Sequence, residues 1–124
     1  MALVGNKNTK PELYVRAGLH RRGFRFRVNV GSLIGRPDIV LRKHNAVVFV
    51  HGCFWHGHRS AKCKLARTPK SNVAFWKAKV AANQQRDCRV RAKLRRLGWR
   101  VFVVWECQLK RALVIDTLAK KIAA

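Results

Sequence analysis

Two short apolar segments constrain the fold of this chain more than any other feature of its sequence. Residues 46–50 (AVVFV) and 99–105 (WRVFVVW) are rich in β-branched and aromatic side chains. Runs of this kind are typical of strands buried on both faces in the middle of a sheet. Residues 71–97, which have helical spacing, precede the second run. We therefore expect that strand to return parallel to an earlier one through a right-handed crossover.

The first helix is predicted from its N-terminal signals. Thr9 and Glu12 have the spacing of a capping box, and Pro11 stands in the first turn, where its missing N–H costs nothing. The pattern predicts a helix over residues 9–22 that ends at Gly23.

The remaining elements complete a mixed α/β layer. Alternating apolar and polar residues over 24–30 predict a strand with one buried face. Residues 38–41 and 46–50 are apolar runs separated by a polar turn, which predicts a hairpin. Residues 109–122 predict a closing helix, and the long helix before residue 99 is expected to break near Asn83. Together these elements predict one α/β domain over all 124 residues, with a mixed central sheet flanked by helices.

The charge composition points to a polyanionic partner. The chain carries 28 Lys and Arg against five Asp and Glu, a formal net charge of +23. Phosphate backbones are the commonest partner that relieves such self-repulsion, so a ribosomal-type RNA binder is one interpretation and a nuclease is another. No apolar run approaches a membrane span, and residues 1–4 are too short for a signal peptide. We therefore expect a cytoplasmic protein with no membrane partner.

A long loop without periodicity contains most of the candidate metal ligands. Residues 51–70 follow no period, and a loop of that length in a small domain needs a reason such as a metal. Parallel strands could bring Cys107 back to this loop, and four nitrogen and sulfur ligands make a closed, structural zinc site. The ligands would be Cys53, His58, Cys63 and Cys107. In a reducing compartment free thiols are the other interpretation, and Cys88 is assigned to that class.

Asp38 and two nearby histidines are candidate catalytic groups. Asp38 directly precedes an apolar run, where it either caps a turn or pairs with an arginine, or else holds Mg2+ through its oxygens. His51 lies two residues after Phe49 on one strand face, and His56 follows closely. Imidazoles serve as acid or base in phosphodiester hydrolysis, and Asp87, on the inward stripe of the long helix, could orient one of them.

Three aromatic residues are candidate DNA contacts. Phe54 and Trp55 lie between a candidate zinc ligand and a candidate catalytic histidine, a position that hinders full burial in a core. Aromatic side chains on a rigid loop of a basic protein can wedge between base steps. Trp76 either joins them or packs in the core.

Four runs together resemble a known family. GRPDIVL, AVVFVHGCFWHGH, FWKAKVAANQQRD and LGWRVFVVWEC resemble the bacterial very-short-patch repair (Vsr) endonucleases over about residues 8–107. The resemblance implies a restriction-endonuclease-like core, structural Zn2+ and Mg2+-dependent hydrolysis. It further implies nicking 5′ to the thymine of T:G mismatches left in double-stranded DNA by deamination of 5-methylcytosine. We also expect a monomeric, cytoplasmic protein associated with the bacterial nucleoid. Mismatch-repair proteins are its candidate partners.

The resemblance also implies roles for single residues. Asp38 resembles the metal-binding aspartate, His51 and His56 the active-site histidines, and Asp87 the aspartate that supports them. Glu12 matches an acidic position near the site, with the capping box as its alternative role. The zinc set is Cys53, His58, Cys63 and Cys107, and the aromatics that open the mismatch are Phe54, Trp55 and Trp76. Unlike the usual PD-(D/E)xK nucleases, this family has Phe49 and His51 in the places of the second acid and the lysine.

Two other functions fit parts of the sequence. A non-catalytic, zinc-stapled nucleic-acid binder explains the charge, the cysteines and the aromatics, but it gives no reason for Asp38, His51 and His56 to converge. A related nickase that acts on other DNA distortions would keep the same catalytic residues. Substrate choice separates these possibilities.

Overall fold

Three α-helices and a four-stranded sheet form the described part of the chain. The computed structural model describes residues 9–53, 71–111 and 113–124. The main elements are α1 (Lys10–Arg21), β1 (Arg27–Val28), β2 (Ile39–Leu41), β3 (Ala46–His51), α2 (Val73–Arg96), β4 (Arg100–Trp105) and α3 (Val114–Ala123). This order confirms the predicted mixed α/β class. Within the described residues, no helix has the length and apolarity needed to cross a membrane.

The sheet has the strand order β1-β2-β3-β4 and mixed directions. Strand β2 is antiparallel to both β1 and β3, which confirms the predicted hairpin. Strand β4 is parallel to an earlier strand, β3, as the sequence predicted. In the observed register Ala46 lies opposite Arg100 and His51 opposite Trp105. The start of β2 and the ends of β3 and β4 therefore meet at one end of the sheet.

The core consists of two apolar layers, one on each face of the sheet. Alternate side chains of β3 point to opposite faces, so Val48 packs with α1 and α3 while Phe49 packs with α2. Helices α1 and α3 contribute Val15, Leu19, Ile115, Leu118, Ala119 and Ile122 to the first layer. The second layer contains Val40, Val47, Phe49 and Leu94. Burial on both faces explains why β3 is apolar throughout, since each buried aliphatic side chain stabilises the fold by about 1.5–3 kcal/mol.

The strand predicted over residues 24–30 is wrong in its extent. Only Arg27–Val28 pair as a strand, and Val28 is 40% exposed where the alternation predicts burial. Asn29 adopts a left-handed conformation with φ of 50°, and Val30 after it packs in the α2 layer. One residue with positive φ breaks the period-2 pattern, which the sequence alone does not reveal.

Two helix boundaries also differ from the prediction. Helix α2 is continuous over Val73–Arg96, so the break near Asn83 is wrong. Alanines at 81 and 82 favour helix there. Helix α3 begins at Val114, because Glu106–Lys110 forms a 3-10 helix first. The Gln108 side-chain oxygen accepts a hydrogen bond from the Trp105 amide at 2.9 Å and stabilises that turn.

Candidate active site

Asp38 lies at the end of the sheet where β2 begins and β3 ends. Its Oδ2 atom accepts a hydrogen bond from the Val50 amide at 2.6 Å. Pro37 before it is fully buried, and Ile39 after it belongs to the core. The carboxylate is thus fixed between two central strands by a charge-assisted hydrogen bond.

The segment before Asp38 has an unusual backbone. Gly35 has φ of 77°, and an added Cβ there would lie 2.3 Å from Val90 Cγ1 on α2. Arg36 has φ of 46°, although residues before proline normally prefer extended conformations. A non-glycine residue in this region costs on the order of 1–3 kcal/mol, and such strain clusters at functional sites. The strained turn packs Gly35 closely against Val90 of α2 and leads directly into the buried Pro37.

Glu12 faces the same site from α1. It is 5% exposed, and the Arg16 Nη2 atom donates a hydrogen bond to its Oε2 at 3.2 Å. Thr9 makes no side-chain hydrogen bond at the helix start, so the capping-box prediction is wrong. A buried carboxylate needs a nearby cation, and position i+4 of the helix supplies one. The sequence reasoning missed Arg16, whose i,i+4 spacing from Glu12 was the available signal.

The surroundings of Asp38 raise its pKa from the ordinary value of 3.8 to about 7. Burial is the main cause, and the negative charge of Glu12 and a hydrogen bond that protonated Asp38 donates to the Glu12 carboxylate add to it. The Val50 amide and the positive charge of Arg16 lower the pKa. Two carboxylates that share a buried site repel each other unless a proton or a cation lies between them. Their hard oxygen atoms are the donors that Mg2+ prefers, so the pair fits such an ion.

His51 is fixed at the end of β3, directly after the strand residue that bonds Asp38. It is 3% exposed. Its imidazole contacts the Trp105 ring edge-on, with centroids 5.0 Å apart, and the Phe49 ring at 6.0 Å. The contact with Phe49 is consistent with the shared strand face that the sequence predicted. These two rings restrict the orientation of the imidazole.

Two predicted site residues lie on α2. Asp87 is half-buried, two helical turns before the core residue Leu94. It therefore lies on the same side of the sheet as Phe49. Trp76 is half-buried near the start of α2, and its ring contacts Phe75 edge-on at 5.0 Å. The predicted site residues Phe54, Trp55 and His56 lie outside the described residues.

Two of the four predicted zinc ligands are adjacent. Cys53 is fully buried after β3, and its Sγ accepts a hydrogen bond from the Cys107 amide at 3.4 Å. Parallel pairing of β3 with β4 brings these residues together, as the sequence predicted. Among the described residues no three metal-ligating side chains cluster, and His58 and Cys63 lie outside that part of the chain. Cys88 is exposed on α2.

Similarity to known proteins decides the family. The family model of the DNA mismatch endonuclease Vsr matches residues 1–62, a segment that includes Glu12, Asp38 and His51. The DNA mismatch endonuclease Vsr of Escherichia coli K12 is 41% identical over 110 residues, which cover 89% of this chain and 69% of that protein. The chain belongs to the Vsr family of DNA mismatch endonucleases.

Other Vsr-like relatives carry different names. The type II nicking enzyme V.NmeAIP of Neisseria meningitidis is 46% identical over 92% of this chain and 79% of its own length. The type II nicking enzyme V.XorIIP of Xanthomonas oryzae pv. oryzae is 50% identical over 88% of this chain and 78% of its own length. This chain is accordingly a DNA endonuclease, and its mixed α/β sheet is consistent with the Vsr-type fold.

Proposed function

We propose that this Vsr family member nicks one strand of double-stranded DNA at T:G mismatches, on the 5′ side of the thymine, with Mg2+ as its cofactor. Such mismatches arise when 5-methylcytosine is deaminated. The observation that carries the proposal is the pairing of Asp38, which is partly buried, with the buried Glu12 at the end of the sheet where β3 ends in His51. The names of the relatives, one a mismatch endonuclease and two nicking enzymes, support the substrate and the single-strand cut.

In this proposal Asp38 holds Mg2+, and Glu12 lies beside it. When bound, Mg2+ would offset negative charge on the scissile phosphate during hydrolysis. The Val50 amide keeps the Asp38 carboxylate in place, so its position does not depend on the substrate. Arg16 balances part of the charge of the pair and holds Glu12 against the site.

The histidines would move protons. Hydrolysis of a phosphodiester needs a base for the attacking water and an acid or cation for the leaving oxygen. We assign these tasks to His51 and His56. Packing against Trp105 limits rotation of the His51 imidazole, which suits a group that must transfer a proton at one fixed position. Asp87 would orient one of the imidazoles.

The remaining proposals concern zinc and association. We assign structural Zn2+ to Cys53, His58, Cys63 and Cys107, because the first and last are already adjacent. A site closed by four protein ligands would serve folding and not catalysis. The monomeric state, the cytoplasmic, nucleoid-associated location and the mismatch-repair partners stay predictions from the sequence.

The decisive experiment compares two duplexes that differ at one base pair. We expect Mg2+-dependent nicking of a T:G duplex directly 5′ to the thymine, at least about a hundredfold faster than of the matched T:A duplex. DNA binding without nicking under any divalent cation would favour the zinc-stapled binder. Faster nicking of another distortion than of T:G would favour a related nickase with a different substrate.

The aromatic residues Phe54, Trp55 and Trp76 are proposed to wedge beside the mismatch. Replacing Phe54 and Trp55 together with alanine is expected to reduce discrimination between T:G and T:A duplexes more than general DNA affinity. Wedging is less costly at a weakened pair, whereas phosphate contacts do not sense pairing. Affinities for both duplexes at matched ionic strength, with the melting temperature, test this. An equal loss for both duplexes with a lower melting temperature would mean that these rings pack the core instead.

A further inference from the structure

One face of α2 carries a row of basic side chains that the proposed site does not use. We call these residues the basic stripe: Lys79, Arg86, Arg89, Lys93 and Arg96. All five are exposed. Their spacings of seven, three, four and three residues keep them on one face, about 100° wide, of a helix with 3.6 residues per turn. Phe75 extends this face toward the start of α2 and is 57% exposed.

The basic stripe makes no hydrogen bond or ion pair with the rest of residues 9–53, 71–111 and 113–124 that would hold the fold together. Helix α2 packs on the sheet through Val90 and Leu94, which lie beside the stripe, about 20° and 60° past Lys79 around the helix. Within the described residues, the ion pairs join Glu12 to Arg16 and Asp116 to Arg22, and neither involves the stripe. Like charges three or four residues apart destabilise a helix by about 0.2–0.5 kcal/mol per pair. A row of such pairs is therefore a cost that a polyanion bound along the helix would offset.

The position of α2 relates the stripe to the candidate site. Because α2 connects the end of β3 to the start of the parallel strand β4, its first turn lies toward the end of the sheet that holds Asp38 and His51. From there the stripe runs away from the site. Residues 79–96 span about 26 Å at 1.5 Å per residue. Measured along the duplex axis, the phosphates of one strand rise about 3.4 Å per nucleotide, so this length corresponds to seven or eight base pairs.

We propose that the basic stripe of α2 binds the phosphate backbone of duplex DNA outside the mismatch. This inference rests on the proposed function, in which DNA is the substrate. Phe75 lies at the end of this face nearest the site, and beyond it the long exposed side chains on the face are the basic ones of the stripe. Such a surface fits a uniform row of phosphates, because phosphate contacts position a duplex whatever bases it contains. Its contribution is sequence-independent affinity and alignment of the duplex.

The test neutralises three stripe residues in the variant R86Q/R89Q/K93Q. Glutamine keeps the helix propensity of α2 close to that of arginine and lysine. The matched control is R42Q/K43Q/K120Q, which removes the same charge from exposed positions on other elements. Affinity for a matched duplex of about 20 base pairs is measured over a salt series without Mg2+. A plot of log affinity against log salt has a negative slope, and each lost phosphate contact makes that slope shallower by about 0.9.

We expect the slope to become shallower by about two to three in the stripe variant and by less than about one in the control. Duplexes of about eight base pairs centred on the mismatch should bind both variants with similar affinity, because they end before the stripe. Nicking of a T:G duplex at saturating enzyme should stay within about twofold of the wild type. Equal slope changes in the two variants would show a general effect of charge and would overturn the proposal that the stripe binds DNA. A selective loss of affinity for duplex RNA, with DNA binding unchanged, would overturn it as well.

The outcomes for the stripe and for the function are separable. If the wild type nicks T:G DNA and the two variants have the same slope, the stripe proposal fails and the function stands. If the slopes differ but the wild type never nicks, the stripe is supported and the catalytic proposal fails.

Discussion

Replacing Asp38 with asparagine is expected to reduce Mg2+-dependent nicking at least about a thousandfold. Loss of a metal-holding carboxylate removes several kcal/mol of transition-state stabilisation, and about 4 kcal/mol corresponds to that factor. Asparagine keeps a side-chain oxygen that can accept the Val50 amide, so the strand contact survives. DNA affinity should be unchanged or higher, because the substitution removes a negative charge near a polyanion.

Single-turnover nicking and equilibrium binding of the same T:G duplex provide the two measurements. The matched control is Asp116→Asn, which removes one carboxylate from α3 that is paired with Arg22. It should nick at nearly the wild-type rate. Substantial Mg2+-dependent cleavage by Asp38→Asn would remove Asp38 from the site. Equal losses in the two variants would point to a general effect of charge or stability.

The pH dependence of folding stability, measured on the wild type and on Asp38→Asn, tests the surroundings of Asp38 in a second way. The pKa of Asp38 is raised to about 7 in the folded protein from 3.8. The folded state therefore holds this proton more tightly, and the stability gained from it is present below pH 4 and is lost as the pH rises through 7. Without added Mg2+, the unfolding free energy of the wild type relative to Asp38→Asn should fall over that range, on the order of 1–4 kcal/mol. A constant difference would contradict the buried site.

The sequence predicted the central part of the site because long apolar runs leave few arrangements. Strand β3 is buried on both faces, and its hairpin with β2 and the positions of Asp38 and His51 toward one end of the sheet were predicted from the sequence pattern. Parallel return of β4 then placed Cys107 beside Cys53, 54 residues apart in sequence. These predictions depend on strand order and direction, and continuous apolar runs separated by a short turn or by a helix leave few choices for either.

The remaining differences arise where one spacing fits two structures. Glu12 three residues after Thr9 suits both a helix cap and a side chain turned toward the sheet. Only the packing of α1 against β3 decides between them. Arg16 becomes part of the site as a consequence, because a buried carboxylate selects the nearest cation on its own helix face. Asn29 shows the same limit for backbone conformation, since its positive φ depends on the loop that follows.

Replacing Cys53 or Cys107 with serine is expected to reduce both zinc content and folding stability. Wild-type protein should contain about one zinc per chain. A structural zinc site contributes directly to folding, because its ligands are not held together in the unfolded chain. The serine oxygen is a poorer ligand for zinc than a thiolate, so either variant should lose most of the metal. Removing one ligand is expected to lower the melting temperature by more than about 10 °C, since several kcal/mol of binding energy are lost.

Cys88→Ser is the matched control, since Cys88 is exposed on α2. It should keep about one zinc per chain and the wild-type melting temperature. Metal analysis of the purified proteins and thermal unfolding decide the outcome. Wild-type protein without zinc, or loss of zinc on changing Cys88, would contradict the proposed ligand set. Serine at Cys53 with full zinc content but a lower melting temperature would show that this buried thiol serves packing alone. In that case the hydrogen bond from the Cys107 amide would be a contact between two strand ends and not part of a metal site.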